Sequence, residues 1–202
     1  MNANLTAALA TDLDAAFERL VLSHQDRLYT ISLRLLGDAR DAEEVAQDAL
    51  VRAYRAMQTY DRQRIRDLQL KPWLATIAIN LCRNRGRRKT APLVALDRPA
   101  RANEPWTAPA EQLASHDSSG SPHEAAARRA SAQTWAALVT TLPDRYRTPV
   151  VLRHVDGLSY QELSTVLGRP EGTIKAQVHR GVAMLRDAFE RHQATEREEM
   201  TA

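Results

Sequence analysis

The residues best suited to recognise another molecule lie near the carboxyl end of the chain, on a helix predicted to follow Pro170. Apolar residues recur there every three or four positions, at Ile174, Val178, Val182 and Leu185, and this spacing puts them on one buried face. The opposite face carries small and cationic side chains, which are Lys175, Ala176, His179, Arg180 and Ala183. Such a helix can enter the major groove of DNA, where side chains hydrogen-bond base edges and cations hold phosphates.

A short helix precedes this one, and the pair has the pattern of a helix-turn-helix. Ser159 and Glu162 have the spacing of a capping box, which starts a helix. Gly168 can end that helix in the left-handed conformation, and Pro170 suits the first turn of the next one. The second helix of such a pair reads DNA. At this point an ordinary helical hairpin with a solvated charged face is the alternative.

A second polar face is predicted on a helix that starts near Pro72. At about 100° per residue, its apolar stripe lies opposite a row of amide, hydroxyl and guanidinium side chains. These are Thr76, Asn80, Arg83, Asn84 and Arg87, and Arg85, Arg88 and Lys89 follow them. Amides can hydrogen-bond base edges while arginines hold phosphates. The pattern therefore predicts a second contact with nucleic acid.

The polar connection Tyr60–Lys71 lies just before that helix and carries Arg62 and Arg64. Its aromatic residue, Tyr60, can stack on an unpaired base. Trp73 can do the same, but a tryptophan at the start of a helix favours a core anchor, because burial suits its large ring.

An acidic helix is predicted to start at Asp38. Its polar face is made of Asp41, Glu44, Gln47, Asp48 and Arg52. Acidic residues in the first turn stabilise a helix through its macrodipole, so the face has two interpretations. It is either a solvated surface or a docking surface for a basic protein partner.

Composition restricts the class of protein. The 202 residues suit one large or two small domains, and 44% apolar residues are enough for packed cores. The lone Cys82 excludes a disulfide framework and a cysteine-based zinc site, and the six histidines lack ligand spacing, so we expect no metal and no cofactor. No apolar run approaches the roughly 20 residues of a membrane span, and Met1–Leu13 lacks the layout of a signal peptide. We expect a cytoplasmic protein without membrane contact.

Charge is distributed unevenly along the chain, although the formal net charge is only +3. Residues 12–61 contain 6 basic and 10 acidic side chains, whereas residues 62–101 contain 11 basic and 2 acidic ones. Such a reversal predicts two surfaces with different partners, one of them nucleic acid.

Helical periodicity is interrupted once, by a segment rich in proline and serine that cannot bury much apolar surface. We therefore expect an all-α protein of two small helical domains joined by a flexible linker, with the helix-turn-helix in the second. The expected divisions are an N-terminal tail (1–13), a first domain (14–90), the linker (91–126), a second domain (127–192) and a C-terminal tail (193–202).

Three segments, in order, resemble the sigma-70 family of RNA polymerase sigma factors, in particular its compact extracytoplasmic-function (ECF) group. Asp41–Arg55 resembles the polymerase-binding helix of that family, and Lys71–Arg88 resembles its helix for the promoter −10 element. Leu142–Leu163, continuing into Gly172–Lys175, is similar to its −35-reading domain.

The resemblance implies a sigma factor that binds core RNA polymerase, directs it to promoters by reading −10 and −35 elements, and assists promoter opening. The implied partners are the clamp and flap regions of the polymerase, promoter DNA and an anti-sigma factor. The protein itself would make or break no bond, so it would not be an enzyme.

The resemblance also implies a role for each polar face. It assigns polymerase binding to Asp41, Glu44, Gln47, Asp48 and Arg52. Binding of −10 DNA falls to Tyr60, Arg62, Arg64, Asn80, Arg83, Asn84, Arg87 and Arg88. Binding of −35 DNA falls to Arg169, Thr173, Lys175, Ala176, Gln177, His179 and Arg180.

Three residues depart from the family pattern. Ala176 stands where the family often has serine, so a hydroxyl contact is missing and the −35 preference can differ. Gln177 replaces a frequent arginine, which lowers the expected salt dependence of DNA binding. Pro149 lies inside the helix expected from about Asp144, and it should kink that helix or delay its start, because an interior proline costs about 3 kcal/mol.

Two other classes of function compete with this interpretation. A helix-turn-helix regulator that binds duplex DNA without polymerase would leave the acidic face as plain surface. An enzyme acting on nucleic acid has little support, because no metal-type carboxylate cluster, glycine-rich phosphate loop or nucleophile–base pair stands out. Association with bacterial core polymerase separates the first two classes.

Overall fold

The computed structural model describes residues 2–90 and 134–199, and the elements in these ranges are all helical. This confirms the expected all-α fold. The N-terminal unit contains α1 (Asn2–Thr11), α2 (Leu13–Leu36), α3 (Ala39–Gln58), α4 (Arg62–Arg66) and α5 (Leu70–Thr90). The C-terminal unit contains α6 (134–141), α7 (Asp144–Val150), a π-helical turn π1 (Val151–Val155), α8 (Tyr160–Leu167) and α9 (Glu171–Glu199). The expected linker, residues 91–126, lies outside the described residues.

Local capping signals fix several helix ends. Gly37 ends α2 with φ 72°, and Asp38 starts α3 by accepting a backbone hydrogen bond at 2.8 Å. Ser159 and Glu162 make both halves of the capping box at the start of α8, with bonds of 3.2 and 2.7 Å. Gly168 ends α8 with φ 63°. The sequence predicts the helix start at Asp38, the capping box and the helix end at Gly168, and each is confirmed.

The segment expected as an N-terminal tail is instead helix α1, which packs against α2 and α4. Leu5 and Leu9 are buried there, at 7% and 1% exposure. Their spacing of four residues places them on one helix face, and Asp12 separates α1 from α2 as an N-cap. The tail prediction is therefore wrong for residues 2–11, because two leucines are enough to anchor an alanine-rich helix on a neighbouring core.

The connection between α3 and α5 is more ordered than the sequence indicates. It contains the short helix α4, whose Ile65 is buried at 5% exposure. Helix α5 begins at Leu70, slightly ahead of the expected Pro72. A proline in the first turn loses no helical hydrogen bond, so Pro72 does not delay the start.

Pro149 changes the type of helix rather than its starting point. Helix α7 begins at Asp144, as expected, and Pro149 lies near its end. The chain then continues as π1, in which the Asp156 N–H donates to the Val151 carbonyl at 3.0 Å. Because proline lacks an N–H and crowds the preceding turn, a wider helical turn is one way to absorb it.

Helix α9 runs on to Glu199, past the expected end of the domain near His192. The expected C-terminal tail, residues 193–202, is therefore helical in its described part. Glu190 and Arg191 belong to a polar sequence of residues with good helix propensity, which favours a helix here.

The two units pack against each other through α2 and α5 on one side and α7, π1 and α8 on the other. Arg27 of α2 donates from Nη2 to Asp156 Oδ2 at 2.6 Å and to the Lys71 carbonyl at 2.8 Å, and its Nε donates to Asp156 Oδ1. Arg147 Nη1 donates to the Leu35 carbonyl at 2.7 Å. These bonds hold the two units in one specific arrangement.

Candidate nucleic-acid and protein interfaces

The outer surface of α9 carries the cationic face that the sequence predicts. Ile174 and Val178 are buried at 0% and 3% exposure, which turns the opposite side of the helix outwards. The α9 face, made of Lys175, Ala176, His179 and Arg180, is exposed, and so is Thr173. The buried stripe anchors α9 in the domain, so its exposed face can enter a groove without breaking a packing contact.

Two neighbours of the α9 face are engaged with each other. Arg169, in the turn before α9, is partly buried, and its Nη1 donates to Gln177 Oε1 at 3.2 Å. Lys175 Nζ lies 3.8 Å from Glu171 Oε2. A phosphate contact by Arg169 or Lys175 therefore has to compete with a side chain of the same domain.

The polar row on α5 is also exposed. The α5 face consists of Asn80, Arg83, Asn84 and Arg87. Within it, Arg87 Nη2 donates to the Asn84 side-chain carbonyl. Thr76, which the sequence places in the same row, donates its hydroxyl to the Pro72 carbonyl at 2.9 Å. The side chain of Arg88 lies outside the described residues.

The Tyr60 ring packs against the side chains of Arg64 and Trp73. The Arg64 guanidinium carbon lies 3.7 Å from the Tyr60 ring centroid, and the Trp73 ring centroid lies 6.1 Å away. Trp73 is itself partly buried against the core, as its preference for a core anchor predicts. Arg64 thus covers one face of Tyr60, while Arg62 is exposed. A base that stacks on Tyr60 must use the other face or displace Arg64.

Asp41 differs in position from the other polar residues of α3. Its side chain is 9% exposed and Oδ1 accepts from Arg85 Nε at 2.7 Å, while Arg85 Nη2 donates to Glu44. Partial burial lowers the pKa of Arg85, but the hydrogen bonds that it donates to the Glu44 and Asp41 carboxylates outweigh burial and raise the pKa above its ordinary value. Asp41 therefore ties α3 to α5 and does not reach the exposed face that the sequence assigned to it.

The remaining residues of α3 form an exposed stripe with an apolar centre. Gln47, Asp48 and Arg52 are exposed, and the Glu44 side chain is 45% exposed. Val51 lies among them at 47% exposure, and sequence analysis missed it. We call Glu44, Gln47, Asp48, Val51 and Arg52 the α3 face. The signal that could have found Val51 is an apolar residue one turn after Asp48 on a charged helix side.

No metal-binding group of His, Cys, Asp or Glu occurs within residues 2–90 and 134–199. In the same ranges, none of the helices is long and apolar enough to cross a membrane. Cys82 is buried beside Ser32, and burial raises its pKa to about 11, so the thiol stays protonated.

Comparisons with known proteins identify the family. Residues 20–91 match the family model of sigma-70 region 2, and residues 133–185 match that of sigma-70, region 4. The chain is 34% identical over 171 residues to the ECF RNA polymerase sigma factor SigW of Bacillus subtilis (strain 168), covering 85% of this chain and 87% of that protein. It is 35% identical over 183 residues to the ECF RNA polymerase sigma factor SigE of Mycolicibacterium smegmatis, covering 88% of this chain and 63% of that protein.

Two solved structures share the fold. The structure of CnrH in complex with the cytosolic domain of CnrY has a TM-score of 0.62 at 22% identity, covering 94% of this chain and 97% of that chain. The sigma factor RpoE in complex with the anti-sigma factor NepR, from Bartonella quintana, has a TM-score of 0.58 at 22% identity, covering 86% and 96%.

Two helical units with an exposed helix-turn-helix define a DNA-binding transcription protein. The chain belongs to the sigma-70 family, within its ECF group of RNA polymerase sigma factors. Its function is that of a transcription initiation factor that directs RNA polymerase to promoters.

Proposed function

We propose that the α3 face binds core RNA polymerase, that the α5 face and the Tyr60 loop (residues 60–70) bind the −10 element, and that the α9 face binds the −35 element. The observation that carries the proposal is the separation of one acidic and two cationic faces on three helices of one chain. Each face is made of side chains that solvent reaches.

The composition of the α3 face suits a protein partner. Its charged side chains surround Val51, an exposed apolar residue. A small apolar centre with a polar rim is the usual anatomy of a protein–protein contact. The partner would be the clamp of the polymerase, and the α9 unit would reach its flap region.

The two DNA-binding faces suit different forms of DNA. The α9 face lies on the second helix of a helix-turn-helix, which fits the major groove of a duplex. The α5 face and the Tyr60 loop combine amides, arginines and an aromatic ring, which suit single-stranded bases. A face of each kind is what a protein needs to hold a promoter while one part of it opens.

Reversal of a single charge on the α3 face tests polymerase binding. We expect Asp48→Arg to weaken association with core polymerase about tenfold or more, because a like charge faces a basic partner. Binding of the free protein to −35 duplex should not change. The matched control is Glu18→Arg on α2, which makes the same charge change at an exposed position outside the α3 face. Equal losses in both variants, or no loss in either, would contradict the assignment.

Truncation on the α9 face tests groove binding. We expect Arg180→Ala to weaken −35 duplex binding by about 1–3 kcal/mol, the range for one specific contact, while polymerase association persists. Arg186→Ala is the control, because Arg186 is exposed on α9 outside the α9 face. Fluorescence anisotropy at fixed salt measures both. An unchanged affinity for Arg180→Ala would remove this face from the groove.

A promoter-dependent transcription assay distinguishes the proposal from a regulator that binds duplex DNA alone. The protein, bacterial core polymerase and a library of genomic promoter fragments should yield transcripts with defined start sites. A regulator would bind the fragments yet produce no start site and no complex with core polymerase. The polymerase would perform the chemistry, so we expect no reaction catalysed by this chain.

We further propose an anti-sigma factor as a regulatory partner and the cytoplasm as the site of action. The first is supported by the fold relative RpoE, whose structure contains the anti-sigma factor NepR. The second follows from the proposed partner, because core polymerase works on the chromosome. Co-purification from the native cell, with and without a crosslinker, tests both.

A further inference from the structure

Helix α4 occupies the middle of the Tyr60 loop, but it is too short to keep its position unaided. It has five residues, and Ile65 is the one among them that is buried. An isolated helix needs roughly 12–15 residues before it is even marginally stable in water. The position of α4 therefore depends on the element that packs against it.

That element is the N-terminal helix α1. Among the described helices, α4 packs mainly against α1, which also lies on α2. The α1 residues that are buried lie on one face of the helix, and they are Leu5, Thr6, Leu9 and Ala10. Leu5 and Leu9 belong to the same hydrophobic core as Ile65. Helix α1 thus supplies the apolar surface on which α4 rests.

The position of α4 in turn decides where Arg64 lies. The Asp61 carboxylate accepts from the Arg64 N–H at 2.7 Å, and the Asp61 carbonyl accepts from the Ile65 N–H at 3.1 Å. From this turn the Arg64 guanidinium reaches over Tyr60, with 3.7 Å between its central carbon and the ring centroid. A displacement of α4 would carry Arg64 off the ring and change the surface that Tyr60 offers to a base.

We propose that α1 is a positioning element of the −10 contact, in which Leu5 and Leu9 hold α4 and thereby place Tyr60 and Arg64 for an unpaired base. The inference rests on the proposed role of the Tyr60 loop. Leu9 is 1% exposed, so it acts through α4 and not by contact with DNA. Residues 20–91 match the sigma-70 region 2 model, and α1 lies ahead of them.

Truncation of Leu9 tests this role in the complex of the full chain with core polymerase. The probe is a labelled single-stranded −10 segment of a promoter recovered in the transcription assay. We expect Leu9→Ala to weaken its binding about tenfold, the effect of a loop that is correctly placed one tenth of the time. Association with core polymerase and binding of −35 duplex should change by less than about twofold. Leu9→Met, which nearly conserves side-chain volume, should restore most of the −10 binding.

The matched control is Leu50→Ala on α3. It makes the same truncation at a buried position, on a helix that packs mainly against α2 and α5, and its −10 affinity should stay within about twofold of wild type. Hydrogen exchange adds a local readout. Exchange in residues 61–67 should increase in Leu9→Ala and not in Leu50→Ala. Equal losses of −10 binding in the two variants would mean that α1 contributes only general stability, and would overturn the proposal.

A cycle that combines Leu9→Ala with Tyr60→Ala separates positioning from a merely structural effect. If α1 acts through the Tyr60 ring, Leu9→Ala should weaken −10 binding about tenfold when Tyr60 is present. In the Tyr60→Ala background it should cost less than about twofold, because the ring that it positions is already gone. Losses that multiply would show that α1 acts elsewhere, and would also overturn the proposal.

Circular dichroism checks that each variant folds. If Leu9→Ala is unfolded, Leu9→Val takes its place with Leu50→Val as its control, because the cavity is smaller, and the same outcomes decide.

Failure of the underlying assignment has a different signature. If Tyr60→Ala alone binds the −10 strand as tightly as wild type, the role of the Tyr60 loop is lost and the proposal with it. If Tyr60→Ala weakens binding and Leu9→Ala does not, that role stands and only the role of α1 is removed.

Discussion

At the scale of single side chains, Asp41 shows that a neighbouring residue can change the role that the sequence pattern indicates. By sequence it belongs to the polar face of α3, at the same spacing as Glu44 and Asp48. In the fold its carboxylate accepts from Arg85 of α5. A buried carboxylate needs such a partner because an unpaired one costs several kcal/mol. Asp41 therefore stabilises the scaffold that presents the α3 face.

His24 makes the stability of the protein depend on pH. It is buried at 8% exposure, and burial lowers its pKa below 6.5, with the nearby Arg27 adding to the effect and Asp156 opposing it. The folded protein thus holds His24 neutral, whereas the unfolded chain takes up a proton near pH 6.5. Its contribution to stability is present above that pH and is lost as the pH falls below it.

We expect the free energy of unfolding to decrease between pH 7 and pH 5.5 with a slope of at most about 1.4 kcal/mol per pH unit from this group. The variant His24→Gln should flatten that part of the profile. His154→Gln, at an exposed position, should leave it unchanged. Urea denaturation at several pH values measures the slope, and parallel profiles for wild type and His24→Gln would exclude this cause.

At the scale of elements, the closeness of α7 and α9 depends on a residue without a side chain. A Cβ on Gly181 would lie 2.6 Å from Val150 Cγ2 and 3.3 Å from Tyr146 Cβ. Val150 is buried at 4% exposure and has a stiff branched side chain. Gly181 thus permits α7, which contains Pro149 and precedes π1, to pack directly against α9.

The variant Gly181→Ala should destabilise the protein by about 1–3 kcal/mol, because overpacking outweighs the better helix propensity of alanine. Gly86→Ala in α5 is the matched control, since a Cβ there meets nothing within 4 Å. That variant should be neutral or more stable by up to about 1 kcal/mol. Urea unfolding curves report both values, and a stabilised Gly181→Ala would show that α7 and α9 separate easily.

At the scale of the whole molecule, the Arg27–Asp156 ion pair makes the packing of the two units specific. A buried ion pair recovers little more than the cost of removing both charges from water. Its geometry nevertheless admits only one docking of the two units, because Arg27 must meet Asp156 and the Lys71 carbonyl together.

A double-mutant cycle tests the balance between the attraction of the ion pair and the cost of removing its charges from water. We expect Asp156→Leu to destabilise the protein by roughly 3–5 kcal/mol, because it leaves the Arg27 guanidinium without its carboxylate. The double variant Arg27→Leu with Asp156→Leu should recover most of that loss. Chemical denaturation of the full chain measures the free energy of unfolding of the wild type, the two single variants and the double variant. Additive losses would mean that the two residues stabilise their own units independently.

Much of this architecture was predictable because the responsible interactions are local. The capping box of Ser159 and Glu162, the left-handed glycines and the apolar periodicity of α9 involve residues a few positions apart. Such signals are complete within one segment of sequence. They were sufficient for the all-α fold, the helix-turn-helix and the exposed cationic face of α9.

The tertiary structure decided what depends on distant partners. Asp41 pairs with a residue 44 positions away, and Arg27 pairs with one 129 positions away. Helix α1, read as a tail, forms because α2 and α4 cover its two leucines. The sequence pattern predicts which helix faces are polar and which are apolar. Only packing determines which polar residue becomes buried. By itself the sequence determined which helices carry polar faces, and the fold decided that Asp41 leaves the α3 face, because its carboxylate pairs with Arg85.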